Sequence, residues 1–157
     1  WHSVFVHFTV ALLTISAVFF VLSKFAMHWR MEDQWLAVGY WSLWSGMLLS
    51  VGTAVAGWFA FSTVMYDAAA YPVMLFHRTL AYISLVIYFC LAIWAITSFR
   101  AKKQPSVLFV LLLTLSSSFL YATVWYGDQL VFRHGLAVQS LPKVEQLAID
   151  DKLSKDK

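Results

Sequence analysis

Five histidines, His2, His7, His28, His77 and His134, are the residues of this chain with most chemistry to offer. A neutral imidazole carries one nitrogen that donates and one that accepts or binds a metal ion. Inside an apolar run such a group costs free energy unless a partner satisfies it, so a histidine there points to function. His7 and His77 each lie about one to one and a half helical turns into a separate apolar stretch, measured from the same membrane face. Two imidazoles at equal depth on different helices suit axial ligation of one haem b, approached from opposite faces of the ring. The stripe through His7, Ala11, Thr14, Val18 and Val21 and the stripe through His77, Ala81, Ser84 and Tyr88 are expected to flank it. Arg78 and Arg133 fall near the same end and offer bidentate forks for propionates. The expected cofactor-binding set is therefore His7, His77, Arg78 and Arg133, with His7 and His77 on the iron. His2 and His134 lie at the same face, closer to water, as alternative ligands for a second haem or a metal ion. His28 sits about 30 Å from His7 by helix rise and is expected to be a solvated loop residue.

The elements that must position these side chains follow from composition. Hydrophobic residues make up 61% of the 157 residues and charged residues 12%. The charged share is roughly half that of soluble domains. A chain of this length holds four or five spans. The expected fold is all-α: an integral membrane four-helix bundle over residues 1–138, with spans near 3–27, 35–61, 72–99 and 107–131. Residues 139–157 form a short charged C-terminal tail, expected as a surface helix or a disordered end. Pro72 is placed to start the third span and Gly135 to terminate the fourth. The second span carries a face of small residues, including Ser42, Gly46, Thr53 and Ala56, suited to close packing of a neighbouring helix or a flat cofactor. No internal repeat is legible beyond the spans. The single cysteine, Cys90, is expected to be a packing residue, with neither a disulfide nor a Cys-based metal site. The chain begins with Trp rather than Met, so an N-terminal portion is expected to precede it, and the opening run does not read as a signal peptide.

Four spans put both termini on one side. Lys24, Arg30, Arg100, Lys102 and Lys103 flank the loops on the other side, so that side is expected to be cytoplasmic and the termini periplasmic. Trp1, Trp29, Trp35 and Trp125 fit interfacial belts. The slight positive charge gives no reason to invoke nucleic acid.

The opening His2-Ser-Val-Phe-Val-His7-Phe-Thr-Val-Ala-Leu-Leu resembles the His-Pro-x-x-Val-His-Phe-Pro-Ile-Ala-Leu start of the bacterial membrane family called domain of unknown function 2231. Gly52 to Trp58 is similar to its second span, and Phe76-His77-Arg78 sits where the family has a histidine at the head of span three. Gly127-Asp-Gln-Leu-Val-Phe-Arg-His134-Gly-Leu-Ala-Val resembles its closing Gly-x-x-Leu-Val-Tyr-x-His-Gly-x-x-Val motif. The resemblance extends to about Val138, with Ser3 and Thr9 where the family usually has proline. It implies a bacterial inner-membrane protein with His2, His7, His77 and His134 at motif positions. It supplies no cofactor.

These observations lead to an expected function: a non-catalytic electron-transfer subunit holding one haem b near the periplasmic face. It would pass electrons between quinone and a periplasmic partner such as a cytochrome c, within a larger redox complex. Quinone is placed near Tyr66, Asp67 or Asp128. Two other classes stay open: a metal-binding protein using His2, His7, His77 and His134 around copper, zinc or iron, and a cofactor-free anchor or assembly subunit. No hydrolase constellation is present, because the serines lie on small-residue helix faces away from any Asp–His arrangement.

Overall fold

A computed structural model describes residues 2–25, 31–63 and 68–136. These residues form four helices: α1 (His2–Phe25), α2 (Glu32–Thr63), α3 (Ala70–Arg100) and α4 (Val107–Phe132). All four are long and apolar enough to cross a bilayer. Inside hydrocarbon a helix satisfies its own backbone, which is why a chain of this composition folds into helices. The charged tail, His28, Trp29, Arg30, Tyr66 and Asp67 lie outside the described residues.

The helix ends differ from expectation in small, physical ways. α2 starts at Glu32, earlier than expected, with Glu32 and Asp33 in a first turn where carboxylates complement the helix dipole. α3 begins at Ala70, so Pro72 falls within its first turn, where a missing N–H costs nothing. Ser106 caps α4, its hydroxyl accepting from the Phe109 N–H at 3.1 Å. Beyond α4, Gly135 takes a φ of 61°, open to glycine at little cost. Nested bonds from Gly135 N–H to the Val131 carbonyl and from Leu136 N–H to the Leu130 carbonyl close that end.

Successive helices pack antiparallel in the order α1, α2, α3, α4, with α4 returning to α1. Helices α1 and α3 are diagonal partners, as are α2 and α4. The α1–α2 hairpin is the more closely packed. Its seam is built on glycines: Phe20 lies against Gly39, and Leu13 against Gly46. Cys90 faces outward rather than packing inside.

A repeat that hydropathy alone does not reveal appears in the burial pattern. On α1 the buried positions Thr9, Leu13, Ser16, Ala17 and Phe20 correspond, at a constant offset of 75, to Ser84, Tyr88, Leu91, Ala92 and Ala95 of α3, also buried. On α2, Gly39, Tyr40, Leu43, Gly46 and Met47 correspond, at an offset of 70, to Phe109, Val110, Leu113, Ser116 and Ser117 of α4. The two hairpins are copies of one packing scheme, which corrects the expectation that no repeat exists.

The glycine seam yields a prediction. A Cβ at Gly46 would sit 2.8 Å from Leu13 Cδ2 and 3.2 Å from Leu12 Cβ, whereas one at Gly52 would meet Phe5 at an ordinary 3.7 Å. Leu13 is itself buried and has nowhere to move. Gly46→Ala is expected to be less stable than Gly52→Ala by about 1–3 kcal/mol, read from denaturant unfolding in detergent.

Candidate functional site

The site grows from two histidines that the fold treats identically. His2 on α1 directs Nδ1 at the backbone carbonyl of Thr53 on α2, at 3.2 Å. His77 on α3 directs Nδ1 at the carbonyl of Thr123 on α4, at 2.8 Å. A carbonyl only accepts, so each Nδ1 carries the proton, and in the neutral ring Nε2 keeps its lone pair. Residues 2 and 77 share the offset of 75, and residues 53 and 123 the offset of 70.

The surroundings repeat as well. Within a helix the Thr53 carbonyl already serves the N–H of Gly57, four residues on, and Thr123 stands in the same relation to Gly127. A second donor reaches such a carbonyl only past the residue at that fourth position. Both positions are glycine, and a Cβ at either would lie 3.1 Å from the imidazole Cε1. One layer deeper, the Thr9 hydroxyl meets the Thr53 hydroxyl at 2.9 Å, and the Ser84 hydroxyl meets that of Thr123 at 3.4 Å. Thr53 and Thr123 donate in turn to the carbonyls four residues back, Leu49 and Phe119. Each histidine thus rests on a small polar scaffold tying its helix to the next.

His2 and His77 are both half-buried and near enough to interact electrostatically. They belong to diagonal helices, so the two rings approach the same end of the bundle from opposite sides.

The other expected residues lie as follows. His7 is exposed on the outer face of α1, its Nδ1 donating to the Ser3 carbonyl of its own helix at 2.6 Å. Ala11 and Val18 of its stripe are exposed too, whereas Ser84 and Tyr88 of the His77 stripe are buried. His2 and His77 are therefore each held on a carbonyl of the neighbouring helix at the same end, whereas His7 is held on its own helix. Arg78 is half-buried, with its guanidinium carbon 4.5 Å from the centroid of the Phe61 ring, a cation–π contact linking α3 to α2. Arg133 is exposed just beyond α4, His134 is half-buried beside it, and Asp128 is exposed. Among the described residues no three His, Cys, Asp or Glu side chains converge as a metal-ion cluster. A haem iron needs only two axial ligands from the protein, so that finding bears on a many-histidine ion site and not on a haem.

Sequence reasoning placed His7 by depth and missed its azimuth. Seven residues turn a helix by about 700°, so His2 and Thr9 share a face. His7, two residues from Thr9, points about 200° away. The signal that finds the pair is His-x6-Thr followed by Thr-x3-Gly (His2, Thr9; Thr53, Gly57), then His-x6-Ser followed by Thr-x3-Gly (His77, Ser84; Thr123, Gly127).

Comparison with known proteins gives one match. Residues 1–140 match the family described as predicted membrane protein DUF2231. The chain belongs to that family. No curated protein and no solved structure matches. Both histidines of the pair, with Thr53, Gly57, Thr123 and Gly127, fall within the part of this DUF2231 protein that the family spans.

The carbonyl anchors fix a tautomer that can be read directly. In protein without added metal or haem, nitrogen-15 spectra of labelled histidine are expected to show His2 and His77 protonated on Nδ1 and bare on Nε2. Gly57→Val and Gly127→Val should each abolish that signature for the one histidine they face and leave the other intact.

Proposed function

We propose that this protein is a membrane-embedded electron-transfer subunit that holds one haem b at the histidine end of the bundle, with His2 Nε2 and His77 Nε2 as axial ligands. The observation that carries this reading is the matched anchoring of two imidazoles on diagonal helices. An Nδ1–H held by a carbonyl orients the ring and makes Nε2 a better donor to iron. The haem supplies a reversible one-electron carrier. The chain's own residues supply the rest. Gly57 and Gly127 let the rings seat, Thr9 and Ser84 brace the carbonyl-bearing threonines, and the surrounding apolar helices exclude water. Arg78 and Arg133, at the same end, are placed to pair with propionates. His2 takes the ligand role that depth alone assigns to His7, and His134 stands nearby as a lower-ranked alternative.

In this reading the subunit passes electrons between quinone in the bilayer and a redox partner such as cytochrome c outside it, as part of a larger oxidoreductase. The basic residues Lys24, Arg100, Lys102 and Lys103 sit at the end opposite the histidines. That asymmetry supports a bacterial inner-membrane protein with its histidine end and both termini on the periplasmic side.

The test is spectroscopic. Protein purified in detergent with haem supplied is expected to show a b-type α band in reduced-minus-oxidised spectra. His2→Ala and His77→Ala should each remove it, and His7→Ala should leave it unchanged. A band surviving both of the first two substitutions would refute the ligand assignment. A colourless protein with stoichiometric copper, zinc or iron would make it an ion-binding protein. A colourless protein without metal would make it a cofactor-free anchor.

A further inference from the structure

At the end of the bundle opposite the histidines, one buried polar atom is left over. Tyr40 of α2 is 4% exposed, and its hydroxyl has no hydrogen-bond partner among the described residues. Its ring is fixed on three sides: edge-on to Phe20 at 5.0 Å, stacked on Trp44 at 5.5 Å and edge-on to Phe99 at 5.2 Å. So rigid a phenol cannot turn away to find another acceptor. Buried polar groups are almost always paired, so an orphan held in place this firmly marks a position where a ligand acceptor belongs.

Tyr40 lines a cleft of about 450 Å³ between the first turns of α2 and the last turn of α3. Phe99, Lys102 and Lys103 line it from the α3 side and Asp33 from the α2 side. The lysines are brought there by a defined turn. Lys102 has a φ of 51°, with its N–H bonded to the Phe99 carbonyl and the Lys103 N–H bonded to that of Ser98, both at 3.1 Å. Lys102 takes this left-handed conformation at a conformational cost that a glycine would avoid, which carries its side chain around the end of α3. Asp33 is the acidic group on the lining, and Glu32, bonded to the lining residue Gln104, adds a second carboxylate beside it. Lys102 and Lys103 on the lining, with Arg100 and Lys24 in the last turns of α3 and α1, outnumber these two carboxylates at this end of the bundle, which favours an anion.

We propose that this cleft seats the phosphate headgroup of an anionic phospholipid. The Tyr40 hydroxyl donates to a phosphate oxygen, Lys102 and Lys103 neutralise its charge, and the Phe99 face meets the start of the acyl chains. The position suits such a ligand, because α2 begins and α3 ends here, at headgroup level. Basic pockets between spans at that level are a recurrent lipid-binding device. The site lies at the far end of the molecule from the histidine pair and stands whether or not a haem is bound.

The full chain, purified in a neutral detergent and stripped of lipid, would be incubated with phosphatidylglycerol or phosphatidylcholine, and the retained lipid counted by native mass spectrometry. Phosphatidylglycerol is expected to be retained severalfold better than phosphatidylcholine, which carries the same phosphate but adds a choline ammonium that Lys102 and Lys103 repel. Tyr40→Phe, which keeps every ring contact, should lower phosphatidylglycerol retention about tenfold, as the loss of one charge-assisted hydrogen bond does, and the exposed pair Lys102→Ala with Lys103→Ala should reduce the preference severalfold. Equal retention of the two lipids by the unmodified protein would overturn the proposal, as would phosphatidylglycerol retention undiminished in both variants. Displacement of phosphatidylglycerol by inorganic phosphate at equal concentration would overturn the lipid assignment and make a free anion the ligand.

Discussion

Hydrocarbon offers no hydrogen-bond partner, and each polar side chain inside this bundle must find one within the protein. Backbone carbonyls do most of that work. They accept from His2 and His77, from Ser16 at Gly39, from Trp44 at Ala92, and from the serines and threonines that bond back along their own helices. A carbonyl inside a helix already has one partner, so a second donor must slip past the neighbouring turn. That requirement explains why glycine stands where each imidazole seats. It also sets the chemistry, because the nitrogen used on the carbonyl leaves the other one available. Tyr40 breaks the pattern, with its hydroxyl buried and unpartnered among the described residues, beside a cleft that the residue helps to line.

The same constraint was met twice in one chain. Each hairpin brings a histidine-bearing helix against a Thr-x3-Gly helix, and each uses a hydroxyl one layer down to brace the threonine. Two equivalent half-sites stand on diagonal helices at one end of the bundle, related as the matching faces of a two-fold assembly are. Parallel repeats related about an axis along the membrane normal are known in other membrane folds, and their shared interface is where ligands bind. Here each copy holds one histidine, His2 or His77, against the second helix of its own hairpin.

Much of the architecture was legible from the sequence because apolar length is a strong signal. Four spans, their approximate limits, the end of the molecule that gathers histidines and the glycine stop at Gly135 all follow from hydropathy and turn chemistry. The pairing within the site was harder to see. Depth comes from counting residues from a span's edge, but azimuth depends on which face is buried. α1 is so apolar all round that its sequence does not say which face is inward. His7 therefore looked equivalent to His77, although its true counterpart, 75 residues on, is the exposed Tyr82. The repeat was obscured for a related reason. The two copies keep burial and not residue identity, so Leu13 answers to Tyr88 and Gly46 to Ser116.

Where the two halves differ shows which features the fold holds constant. Phe20 in α1 packs on Gly39 of α2, while the equivalent positions in the other hairpin carry Ala95 and Phe109. The large residue has changed helix, and the pair keeps roughly the same volume, the kind of exchange that cores tolerate best. Phe20 and Phe109 then meet edge to face at 5.1 Å, joining the two hairpins near the end opposite the histidines. No such exchange occurs at the other end, where histidine, hydroxyl, threonine and glycine occupy equivalent positions in each copy. Packing alone would allow a swap there as freely as at Phe20 and Phe109. What both copies keep is one hydrogen-bond requirement: an imidazole that donates to an already occupied helix carbonyl needs a glycine beside it, whichever hairpin it stands in.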